Sequence, residues 1–239
     1  MSSTWNAQEL QQKFAIVIAA GRYPVAVTFL DAPPAGVPKF DGSEPSGCSF
    51  WRLAAGGRTF YTLPENHFNC AVGAYTHNIA LSREREKETD ETLRMMFDLG
   101  YIRPEEVPQM PRLAKPPQVI VYSPLGAATG RPDVALFAVK PRAAMLLEET
   151  ANRAGVRVGP SALGRPTCMA LPAALQHGAV SSLGCIGNRV YTGLREDELY
   201  VVLRGADLEA VADALATIHR ANAALEAYAE DRRAQLSTI

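Results

Sequence analysis

Four cysteines, Cys48, Cys70, Cys168 and Cys185, are the residues best placed by type and spacing to do chemistry in this chain. They fall into two pairs, 22 and 17 residues apart. Thiolate rather than thiol binds metal and attacks electrophiles, and the first turn of a helix favours it by its exposed N–H groups and positive dipole end. Cys48, Cys168 and Cys185 each follow Gly or Thr and precede an apolar stretch, so all three are expected at helix starts with lowered pKa values. Four thiolates converging on one point suit either zinc or a cubane iron–sulfur cluster. No C-x-x-C motif is present, so neither the zinc-ribbon nor the ferredoxin spacing applies. Single ligands from four separate loops fit a 4Fe-4S cluster better than structural zinc. If one cysteine were not a ligand, the open iron would act as a Lewis acid and the protein would be an enzyme. Against this stands a bland reading, in which the free thiols simply pack.

Histidine and arginine offer a second chemistry. His67 and Cys70 stand at i and i+3 and His77 lies seven further on, so one helix would place all three on a shared face that could hold a metal or a haem iron. Such histidines also serve as hydrogen-bonded structural groups. In Gly184-Cys185-Ile186-Gly187-Asn188-Arg189 the glycines permit close backbone approach. Asn188 and Arg189 could hold a cofactor there, Arg189 as a fork for a carboxylate or phosphate, with Arg165 joining it. Three functions follow: an iron–sulfur redox or cofactor-binding protein, a haem or other tetrapyrrole binder, and a metal-free small-molecule binding module.

The elements that must position these residues alternate along the chain. Helices are expected over residues 8–20, 49–55, 82–100 and 142–154, and a long alanine-rich helix over 207–233. In the last, Leu208, Val211, Leu215, Ile218 and Leu225 form the core stripe; Leu93, Met96 and Phe97 do so in the third. Strands are expected over 24–30, 59–63, 118–122, 134–139 and 198–203. The class is therefore α/β or mixed α+β.

The order strand, cysteine, short helix, cysteine occurs twice. Cys48-Ser-Phe-Trp-Arg-Leu-Ala-Ala-Gly-Gly resembles the segment opened by Cys168, and Pro-Val-Ala-Val-Thr-Phe resembles Pro-Asp-Val-Ala-Leu-Phe. The chain reads as one domain, residues 1–239, built by duplication of about 8–100 and 117–236. Two halves related by a pseudo-twofold axis would bring both cysteine pairs to a central cleft.

Composition narrows the partners. With 24 basic against 25 acidic residues, there is no electrostatic footprint for nucleic acid or for an anionic membrane. No apolar run approaches the roughly 20 residues of a membrane-spanning helix, and the N-terminus lacks a secretory pattern. A cytoplasmic location is expected, where thiols stay reduced. The long terminal helix leaves a homodimer open.

Four blocks carry a family resemblance: Gly47-Cys-Ser-Phe-Trp, Phe60-Tyr-Thr-Leu-Pro-Glu-Asn-His-Phe-Asn-Cys-Ala-Val-Gly, Gly164-Arg-Pro-Thr-Cys-Met-Ala-Leu-Pro and Leu183-Gly-Cys-Ile-Gly-Asn-Arg-Val-Tyr-Thr-Gly. They resemble the archaeal and bacterial domain-of-unknown-function family 169 over nearly the whole chain. The resemblance implies a stand-alone cytoplasmic protein of a kind common in anaerobes, and it supplies no reaction.

Overall fold

The computed structural model describes residues 5–18, 22–159 and 164–236. The chain runs α1 (Ala7–Lys13), β1 (Val25–Leu30), α2 (Ser49–Ala55), β2 (Phe60–Thr62), α3 (Ala71–Thr76), α4 (Arg83–Asp98), β3 (Val119–Pro124), β4 (Val134–Val139), α5 (Pro141–Arg153), α6 (Ala170–His177), β5 (Ala179–Ser182), α7 (Ile186–Thr192), β6 (Leu199–Arg204) and α8 (Leu208–Leu236). The strands form one antiparallel sheet in the order β2-β3-β1-β4-β6-β5.

Alternation along each strand sends side chains to opposite faces, and here both faces are covered. Val25, Val27, Ile120, Tyr122, Leu136 and Val202 pack on one face beneath α2 and α6. Ala26, Ala135, Phe137, Val201 and Leu203 pack on the other against α1, α5 and α8. The strands therefore read as continuous apolar runs rather than as an alternation. Fully burying a side chain such as Leu147 or Leu171 contributes about 1.5–3 kcal/mol each.

Strand order repeats between the halves. In each, the first strand is central (β1, β4), the second lies at an edge (β2, β5) and the third sits between them (β3, β6). The registers repeat as well. Val25↔Pro124 through Leu30↔Val119 matches Val134↔Arg204 through Val139↔Leu199. At the edges, Phe60↔Tyr122 corresponds to Val180↔Val202, and Cys48 and Cys168 each stand 12 residues before Phe60 and Val180.

Several expected elements differ. The first helix is α1 followed by a 3-10 turn, Phe14–Ile16, and residues 19 and 20 lie outside those described. β5 was not expected: only pairing with β6 makes Ala179–Ser182 a strand. Leu93, Met96 and Phe97 are at most half-buried, because α4 lies outside the sheet layers against α3. Leu225 does not join the core stripe and is 65% exposed. The 29 residues of α8 span about 43 Å, whereas a six-residue strand spans about 20 Å, so the helix outruns the sheet. No described helix is long and apolar enough to cross a membrane.

Candidate four-cysteine centre

All four cysteines start helices on the same face of the sheet. Cys48, Cys70 and Cys185 are the N-cap residues of α2, α3 and α7. Cys168 lies in the 3-10 turn Thr167–Met169 that feeds α6. The Cys70 Sγ accepts a hydrogen bond from the Gly73 N–H at 3.3 Å, occupying the place of a capping oxygen. A Cβ at position 73 would lie 2.8 Å from that sulfur, so glycine is required for the approach.

Four polar links join the cysteine segments in a ring. The Asn188 amide, three residues after Cys185, faces the Cys48 thiol. The Cys185 N–H donates to Thr167 Oγ1, beside Cys168. The Thr76 hydroxyl, at the end of α3, faces the Cys168 thiol. The Gly47 backbone faces the Cys70 thiol and returns the ring to Cys48. The thiols are also close enough to act on one another electrostatically in all six pairings. The cysteines that sequence alone sets on four separate loops therefore converge.

Their acidity runs opposite to the helix-start expectation. Burial pushes the Cys48 thiol up to about 11, against the opposing effect of its hydrogen bond with the Ser46 hydroxyl at 3.1 Å. Burial also raises Cys70, and raises Cys168 well above the ordinary thiol value. The helices are only six to eight residues long, and desolvation of the anion outweighs their dipoles. Without a cation, these three thiols stay protonated at neutral pH.

Among the described residues, no group of three or more His, Cys, Asp or Glu side chains can hold a single metal ion. Four sulfurs on one tetrahedral zinc stand about 3.8 Å apart, since each Zn–S bond is about 2.3 Å. A cubane places each thiolate on a different iron, which requires a wider set of ligands.

The histidines converge without sharing a helix. His67 closes a 3-10 turn, Pro64–His67, and His77 is the C-cap of α3. A break between the two turns replaces the single helical face expected for His67, Cys70 and His77. Their rings nevertheless stand 6.3 Å apart beneath the cysteines. Burial lowers His67 to about 3 and His77 to about 4, so both are neutral. His67 Nε2 pairs with Thr62 Oγ1 at 2.8 Å. His77 lies against the Cys168 backbone, but neither of its ring nitrogens completes a hydrogen bond.

The arginines are placed differently from expectation. Arg189 donates to the backbone carbonyls of Leu183, Arg195 and Glu198, which ties the loop after α7 to its start. Its fork thus serves the chain itself, because the turn around Gly193 leaves those carbonyls with no strand partner. Arg165 stacks on Tyr101 at 5.2 Å and pairs with Glu106 at 3.6 Å on the outer side of Cys185. Of the residues proposed beside the cysteines, Asn188 alone faces a thiol through its side chain.

Sequence reasoning missed Tyr122, Trp51, Ser46, Thr76 and Thr167. Tyr122 and Trp51 carry ordinary core signals, and only the sheet register brings Tyr122 beneath Cys48 and Cys70. Several buried polar atoms around the centre have no hydrogen-bond partner: His67 Nδ1, both His77 nitrogens, the Tyr122 hydroxyl, Asn188 Nδ2 and Trp51 Nε1.

No curated protein and no solved structure matches the chain. Residues 14–214 match domain-of-unknown-function family 169, described as uncharacterised ArCR, a span that includes all four cysteines and every strand. The chain belongs to that family.

Proposed function

We propose that the chain is a cytoplasmic redox or cofactor-binding protein that holds a 4Fe-4S cluster on Cys48, Cys70, Cys168 and Cys185. The observation that carries this reading is the ring of polar links that draws four helix-start cysteines onto one sheet face. Desolvation raises the pKa values of three of these thiols, and iron is the cation that would hold them as thiolates. The repeated strand order and register support a duplicated ancestor, each half contributing two ligands across a pseudo-twofold axis. The cluster reading is preferred to haem, since Arg189 is spent on carbonyls and His67 Nε2 on Thr62.

Purification without oxygen, followed by iron and sulfide assays and visible and EPR spectra, tests the proposal. The expected result is a brown protein with about four irons and four sulfides per chain. Cys→Ser at each of the four positions then reports ligation. Loss of the cluster from three variants and retention in the fourth would assign an open iron and an enzyme. Protein that stays colourless and iron-free after reconstitution with iron and sulfide would overturn the reading.

A further inference from the structure

The unpartnered donors around the centre are unusual, because buried polar groups are almost always hydrogen-bonded and each exception calls for an explanation. Two of them do not titrate in the working range, Asn188 on α7 and Tyr122 on β3. Asn188 is 1% exposed, and its amide faces both the Cys48 thiol and the Tyr200 hydroxyl without completing a full hydrogen bond to either. Tyr122 is fully buried in the middle of β3, with its hydroxyl within electrostatic reach of Cys48 and Cys70. Leaving such a donor unmet costs about 1–3 kcal/mol, so a sequence that keeps two of them beside four sulfurs has an acceptor for them.

We infer that the Asn188 amide and the Tyr122 hydroxyl donate hydrogen bonds to the sulfurs of the bound cluster and raise its reduction potential. The inference rests on the four-cysteine reading above. When the cluster gains one electron from an external donor, negative charge grows on its sulfurs. A fixed N–H or O–H donor stabilises that reduced state more than the oxidised one, and hydrogen bonds to the sulfurs are among the known determinants of cluster potential. Burial keeps the phenol protonated and therefore a donor. Asn188 also ties the halves together, since it stands on α7 one turn beyond Cys185 and reaches Cys48. Both act as positioning residues rather than as ligands.

The test uses the reconstituted full-length protein in a mediated redox titration, with the reduced cluster then examined by electron–nuclear double resonance before and after exchange into D2O. Tyr122→Phe, which keeps the ring and removes only the hydroxyl, and Asn188→Ala are both expected to retain four irons and to titrate at lower potential. Each is expected to lose one exchangeable proton coupling seen in the wild type. Unchanged midpoints and couplings in cluster-loaded variants would overturn the inference while leaving the cluster itself intact. If a variant takes up no cluster, wild-type protein labelled with 15N at the asparagine side-chain amide decides: a 15N coupling on the reduced cluster supports the Asn188 donor, and its absence overturns the inference. A wild type that binds no iron fails at the first step, before any variant is made, and that failure belongs to the proposed function.

Discussion

The two halves of the sheet share strand order and register, and each holds one buried and one half-buried cysteine, yet the regions around Cys48 and around Cys185 are built differently. Beneath Cys48 and Cys70, Phe40, Phe50, Phe60 and Tyr122 form a dry cage with His67, with ring centroids between 5.0 and 5.9 Å for the contacts of Phe50. Around Cys185 the chain is held by hydrogen bonds from Arg189 to carbonyls, and its neighbours face solvent: Ile186 is 67% exposed and Val190 70%. The region around Cys48 is an anchor built by packing, and the region around Cys185 is a polar turn near the surface. The same backbone plan therefore buries the first cysteine of each pair, Cys48 and Cys168, and leaves the second, Cys70 and Cys185, half-buried.

Substitutions sharpen this contrast. Phe50→Ala in the anchor removes a ring in contact with four others and is expected to cost about 3–5 kcal/mol in urea denaturation of the metal-free protein. A cost below 1 kcal/mol would show that the cage is not a rigid wall.

Acid should weaken the same half next. His67 and His77 have folded pKa values of about 3 and 4, below the ordinary 6.5, so the unfolded chain binds more protons once the pH falls below 6.5. Stability is full above pH 6.5 and is lost on acidification towards the folded values. Between pH 7 and pH 5.5 the pair is expected to remove about 2.5 kcal/mol. A His77→Phe variant should lose about half of this pH dependence, and an unaltered profile would mean that the imidazole is solvated.

Arg189→Ala tests the polar half. It leaves the carbonyls of Leu183, Arg195 and Glu198 without their donor, at about 1–3 kcal/mol in the same denaturation assay. Full retention of stability would reopen Arg189 as a ligand for an anion. The smallest effect is expected at the rim, where Val190→Ser should change stability by less than about 0.5 kcal/mol. A larger loss would mean that this surface is covered in solution.

Much of this arrangement was legible in the residues. β1, α2, β3, β4, α5 and α8 lie close to where apolar runs, caps and periodicity set them, since long one-sided patterns leave few alternatives. The cysteines were visible as two pairs, three of them at helix starts; the N-cap place of Cys70 was not. Their high pKa values were not, because acidity here is set by burial under α2 and α6 rather than by the local helix end. Arg189 looked like a free anion fork because a single sequence does not show which carbonyls a turn strands. Tyr122 was invisible as a site residue because its role depends on sheet register.

The sequence by itself determined that three thiols, Cys48, Cys168 and Cys185, would open short helices interleaved with apolar strands, because glycine stops, capping positions and hydrophobic runs are local properties. The tertiary structure alone decided that these helices share one sheet face, that the four cysteine segments adjoin, and that Asn188 and Tyr122 are buried near them with unpartnered polar atoms. Antiparallel pairing of β1 with β4 joins residues more than a hundred positions apart, and only that pairing brings Cys48 and Cys70 to Cys168 and Cys185.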